Sequence, residues 1–66
     1  MPHIAITMYP GRSREIKAEV AEKMKEAIIA ALKVDASTVS VSIRDLTPQE
    51  MEDYRGSIPA EQKFIG

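Results

Sequence analysis

The 66-residue chain has no cysteine and no tryptophan, a single histidine, one phenylalanine, two tyrosines and three glycines. Lacking cysteine, it can form no disulfide, no thiolate metal site and no cysteine nucleophile. One histidine without a thiol leaves a closed zinc site short of its usual ligands. An excess of either charge is also missing: nine Lys and Arg face ten Asp and Glu, for a net charge of −1 and no basic block. Nucleic-acid binding rests on a cationic stripe or stacking aromatics, and this sequence offers neither. No apolar run approaches the roughly 20 residues of a membrane span. The first residues lack the charged-then-apolar layout of a signal peptide. The expectation is a cytoplasmic globular protein with no nucleic-acid or membrane partner.

What is present is modest. Apolar residues make up 44% of the chain, but eight of them are alanine and only 14 are Ile, Leu or Val. Chains this short usually depend on disulfides, a metal or a partner for stability. Composition removes the first two, so self-association is the support that remains.

The chain reads as one domain, residues 1–66. Between Pro2 and Tyr9, Ile4, Ile6 and Met8 alternate with His3, Ala5 and Thr7, the period of a strand with one buried face. Pro10-Gly11 ends it, with Gly taking a positive φ. Ser13 then caps a helix, with Glu15 in its first turn. From Arg14 to about Leu32, Ile16, Val20, Met24, Ala27, Ile28, Ala31 and Leu32 recur at three- and four-residue steps as an apolar stripe. After the connection Asp35-Ala36-Ser37, Thr38 to Leu46 alternates again, with Val39, Val41 and Ile43 on one face. Thr47-Pro48-Gln49-Glu50 fits a capping box opening a short helix, Pro48 to Tyr54, which Gly56 should stop.

The fold class is therefore α/β (α+β): a single βαβ unit with parallel strands, a right-handed crossover and a short C-terminal helix. Residues 57–66 have no clear pattern; Ile58, Phe64 and Ile65 would anchor them as an arm on a neighbouring subunit. Two parallel strands and one long helix leave both edges open and one sheet face bare, which again calls for another chain.

The residues that stand out chemically are Pro2 and Arg12. Methionine is removed efficiently ahead of a small residue, and a Pro at the new amino terminus is a free secondary amine. Partial burial beside an arginine disfavours its protonated form, which brings it toward the range useful for a general base. Taken alone, Pro2 is better explained as an ordinary chain-start residue at a strand edge.

The wider pattern of Pro2-His3-Ile4, an alternating strand, Gly11-Arg12-Ser13 opening a long helix, and a Val39-x-Val41-x-Ile43 strand resembles the 4-oxalocrotonate tautomerase superfamily. Thr47-Pro48-Gln49-Glu50 resembles its phenylpyruvate-type subgroup more than the founding enzyme. The resemblance implies a tautomerase-like fold and a cofactor-independent enzyme, without metal, that interconverts enol and keto forms of a small 2-oxo acid. It makes Pro2 the base then acid, and Arg12 the group that binds substrate carboxylate. It also implies a homo-oligomer, with a hexamer favoured over a dimer.

One departure bears on substrate. The founding enzyme has a second arginine on its second strand, and the matching position here is Ser40. Arg44 lies on the same strand face but roughly 13 Å further along, so only a neighbour's Arg44 could replace it. A substrate with one carboxylate and an apolar group, such as an aryl enolpyruvate, fits this better than a dicarboxylate. Met51 and Tyr54 are candidate pocket walls, with packing beneath the short helix as an equal alternative. His3 and Tyr9 read as surface or interface residues, Glu50 as a cap and Arg14 as solvated. The competing readings are a non-catalytic oligomer of the same fold, or a hydratase, dehalogenase or decarboxylase that uses the same proline.

Overall fold

The two alternating segments pair as a parallel two-stranded sheet in the computed structural model, which describes all of Met1–Gly66. The elements run β1 (His3–Met8), α1 (Arg14–Leu32), β2 (Ser40–Asp45) and α2 (Pro48–Ser57). Short 3-10 turns occupy Ala36–Thr38 and Ala60–Gln62. Register runs from His3 opposite Ser40 to Met8 opposite Asp45. The ladder is carried one residue further at each end by Ser40 N–H to the Pro2 carbonyl and Leu46 N–H to the Met8 carbonyl.

This register places Ile4 opposite Val41 and Ile6 opposite Ile43. Their side chains share the face that meets α1, where Val41 and Ile43 border Lys17, Ala18 and Ala21. The other face carries His3, Ala5 and Thr7 beside Ser40, Ser42 and Arg44. At its far end α2 lies across it, and Thr7 Oγ1 donates to Met51 Sδ at 3.5 Å. Lys17 Nζ ties α1 to the end of β2 through the Asp45 carboxylate, at 2.7 and 2.8 Å from its two oxygens. No helix is long and apolar enough to cross a membrane.

Local signals explain where most elements begin. Ser13 Oγ accepts the Ile16 N–H, and Gly11 adopts φ +121° in the turn ahead of it. The Thr47–Glu50 capping box is complete in both directions. Two boundaries depart from the sequence expectation. β2 begins at Ser40, not Thr38, because Thr38 and Val39 donate back to the Asp35 and Ala36 carbonyls and close a turn first. α2 passes through Gly56 to Ser57. Gly56 has no positive φ, and the stop is Pro59, which drives Ile58 out of helical geometry, to φ −74° and ψ 125°. α1 ends at Leu32 as expected, capped by Lys33, a non-glycine residue in the left-handed region whose N–H donates to the Ile29 carbonyl.

The apolar stripe of α1 is only half used. Val20 and Ile28 are half-buried, whereas Ile16, Met24 and Leu32 remain 49%, 42% and 56% exposed. The other half-buried positions of the helix are Lys17, Ala21, Lys25 and Ile29, while Ala18, Ala27, Ala30 and Ala31 are exposed. Only Val39 and Leu46 are buried, while Phe64 and Ile65 are almost wholly exposed.

The cap at α2 gives a direct test. The Thr47 N–H, accepted by the Glu50 carboxylate, and the Thr47 hydroxyl hold Glu50 below its ordinary value of 4.5, with Arg44 adding a smaller pull. A carboxyl depressed in the folded state adds stability above its ordinary value and loses it as pH falls through the depressed one. Thr47→Ala should lower unfolding free energy by about 1 kcal/mol at neutral pH. Glu50→Gln should flatten the acid side of the stability–pH curve measured by denaturant unfolding. An unaltered acid limb in Glu50→Gln would show that the cap carries no ionic component.

Candidate functional site

Pro2 sits just ahead of β1, half-buried, at the end of the sheet where both strands start. Its carbonyl accepts the Ser40 N–H at 3.2 Å. The next residue reaches across the strands: His3 Nδ1 lies 2.6 Å from Ser40 Oγ, and His3 Nε2 lies 2.9 Å from Ser42 Oγ. The Ser40 hydroxyl, a candidate substrate contact, is thus already engaged by His3. This trio follows from the alternation, since His3, Ser40 and Ser42 share the polar parity of two strands in parallel register. Reading each strand separately conceals it.

Arg12 is at the other end. It follows the turn that leaves β1 and stands exposed immediately before the Ser13 cap. Six residues separate Pro2 from Met8, which at about 3.3 Å per residue is roughly 20 Å of strand before the turn begins. The structure therefore does not bring Pro2 and Arg12 of one chain together around a small molecule.

Met51 and Tyr54 share the Arg12 end, because α2 follows β2. Met51 is half-buried against Thr7 and also faces an open groove of about 390 Å³ with Tyr9, Arg55 and Lys63. Tyr54 is 42% exposed. Arg44 pairs with Thr7 and lies near Glu50, again away from Pro2. Neither Arg55 nor Lys63 has a clear sequence signal: Arg55 enters this groove because α2 runs further than its pattern suggests, and Lys63 from the segment after the Ala60–Gln62 turn. A second cleft of about 260 Å³ opens between α1 and β2, lined by Arg14, Lys17, Ala18, Ala21, Val41 and Ile43. Neither cavity includes Pro2 or Arg12. No three His, Asp or Glu side chains converge as a metal site requires.

A family model described as "Tautomerase enzyme" matches residues 2–52, from Pro2 to the first turns of α2. A curated relative named "Probable tautomerase", from Xylella fastidiosa (strain 9a5c), is 36% identical over 50 residues. That similarity covers 76% of this chain but 61% of the relative, so the chain spans about three fifths of the length of the curated protein it matches. No solved structure matches the chain.

The turn that presents Arg12 has a measurable dependence on Gly11. A Cβ at Gly11 would meet nothing within 4 Å, so a substitution there strains only the backbone, at φ +121°. Gly11→Ala should therefore cost about 1–3 kcal/mol of unfolding free energy, read by chemical denaturation. A variant as stable as the parent would show that the turn relaxes to another conformation.

Proposed function

The chain belongs to the tautomerase family, and from that premise we propose that it catalyses enol–keto interconversion of a small 2-oxo acid without a cofactor. Removal of Met1 frees the Pro2 nitrogen. The neutral amine takes the proton of the enol hydroxyl, and the protonated amine returns one to the adjacent carbon, so no redox partner is needed. An arginine holds the carboxylate through paired hydrogen bonds and stabilises the enolate charge that develops between these steps.

The observation that carries this reading is the placement of Pro2 and Arg12 at opposite ends of one short sheet. A single chain cannot close a site around both, whereas two copies set end against end can. Arg12, Met51 and Tyr54 all lie at the same end, so a neighbour would deliver the carboxylate clamp and the apolar walls together. Arg44 would reach Pro2 from the same neighbour. The exposed flank of Ile16, Met24 and Leu32 supplies apolar surface for such association. A hexamer is the assembly we favour, with a dimer as the alternative.

Substrate class follows from what stands near Pro2. The second-strand position that would offer another cation is Ser40, whose hydroxyl is bonded to His3. One carboxylate and an apolar group, as in an aryl enolpyruvate, suit this arrangement better than two carboxylates.

The test is an enol–keto absorbance assay on phenylenolpyruvate. Pro2→Ala should lower kcat by about 10²–10⁴-fold, and Arg12→Ala should mainly raise KM. If the two residues act across an interface, dissociating and remixing the two variants in equal amounts should restore about a quarter of the sites, read at substrate concentrations too low for Arg12→Ala to turn over. Intact-mass measurement of active protein should find Met1 absent, because an amide nitrogen at Pro2 has no basic lone pair. Full activity in Pro2→Ala, or with Met1 retained, would overturn the proline mechanism. Failure of the mixture to recover would overturn the shared site.

A further inference from the structure

Resting on the reading of Pro2 as the reacting amine, we propose that His3 is a positioning residue. Its ring, clamped between Ser40 and Ser42, holds the amino-terminal proline in place. A base at a chain end has an inherent difficulty, since terminal residues fray unless something ties them down. Pro2 precedes the first paired residue of β1, and its own main chain makes one bond to β2, Ser40 N–H to the Pro2 carbonyl at 3.2 Å. That distance is at the long end of the usual range.

The additional tie is the imidazole of the next residue. His3 lies opposite Ser40 in the register, and Ser42 lies opposite Ala5. The His3 ring spans both hydroxyls, at 2.6 Å from Nδ1 and 2.9 Å from Nε2. Ala5, with only a methyl group, leaves room above Ser42 for a ring arriving from His3. Engaging both nitrogens fixes the ring plane as well as its reach. The peptide that joins His3 to Pro2 is then held from both sides, by the clamp and by the Ser40 N–H. Ser40 supplies both a main-chain and a side-chain partner, which makes it the centre of the arrangement.

The chemistry of the clamp separates this role from acid–base catalysis. A serine hydroxyl both donates and accepts. Neutral imidazole, with one donor and one acceptor nitrogen, is satisfied by two hydroxyls in either tautomer. Imidazolium, with two donors, is satisfied as well. The clamp therefore survives protonation of His3, whereas a histidine exchanging protons with substrate would imprint its own ionisation on the rate. The charged group of the strands on this face is Arg44, one pleat beyond Ser42, with Glu50 of α2 next to it. Neither intervenes between His3 and the two serines.

Two readouts on the full-length oligomer test the proposal: kinetics on phenylenolpyruvate, and hydrogen exchange of the residue-40 backbone amide followed by NMR. His3→Ala should lower kcat by about 10-fold, with KM within about twofold, because the amine is misplaced while the carboxylate clamp is untouched. The Ser40 amide should exchange about 10-fold faster, since its bond to Pro2 opens more often. His3→Gln, whose amide offers a donor nitrogen and an acceptor oxygen, should recover much of both. Combined Ser40→Ala and Ser42→Ala should match His3→Ala, and adding His3→Ala to that pair should have no further effect. The pH dependence of kcat should keep its shape in every variant. An unchanged Ser40 amide in His3→Ala would overturn the clamp, and a pH limb that disappears with His3 would make the residue catalytic instead. If Pro2→Ala retained activity, the proposed function would fail, yet amide exchange would still decide whether His3 holds the chain end.

Discussion

The parallel pairing of β1 with β2 is the constraint on which the rest of the structure depends. It fixes which ends of the strands lie together: Pro2 beside Ser40 at one end, and Met8 beside Asp45 at the other. Because the strands are parallel, the connection between them must cross from one end of the sheet to the other, which places α1 along its length. The same rule sends the turn with Arg12, and α2 with Met51 and Tyr54, to the end opposite Pro2. A one-residue slip would turn Ile4, Ile6 and Met8 outward and His3 toward α1. The Lys17–Asp45 ion pair and the His3–serine cluster both presuppose this register.

The same geometry explains why so little of the chain is buried. Two strands offer two open edges, and one helix covers one face. The aliphatic residues of α1 exceed what β2 can receive, so Ile16, Met24 and Leu32 face outward. In a protein of ordinary size a second layer would cover them. Under the proposed function, a second copy would cover them. The proposed site has the same requirement, because the groups it needs are separated by the length of a strand. Stability and activity would then depend on one association.

Much of this was legible in the sequence because it follows from local chemistry. The alternation around Ile4 and Ile6, the Ser13 cap, the positive φ at Gly11 and the Thr47–Glu50 box are each encoded within a few residues. Family membership was legible from Pro2, Gly11-Arg12-Ser13 and the second strand. The misses involve competition or distance. Gly56 has the composition of a helix stop, but Pro59 prevails because it constrains Ile58 directly. Lys33 caps α1 in a conformation that its side chain does not advertise. The stripe on α1 gave the correct helix but overstated how much of it a two-stranded sheet could cover. Pro2 and Arg12 read as one constellation in sequence, ten residues apart, and only the extended geometry of β1 separates them. The engagement of Ser40 by His3 required the register between strands, which no single segment contains.

The central claim, that association completes both the fold and the catalytic centre, is tested most directly by following specific activity and sedimentation together through a dilution series. The account predicts that activity on an enol acid falls over the same concentration range in which the oligomer dissociates, and returns on reconcentration. Undiminished specific activity in a fully dissociated chain would contradict it.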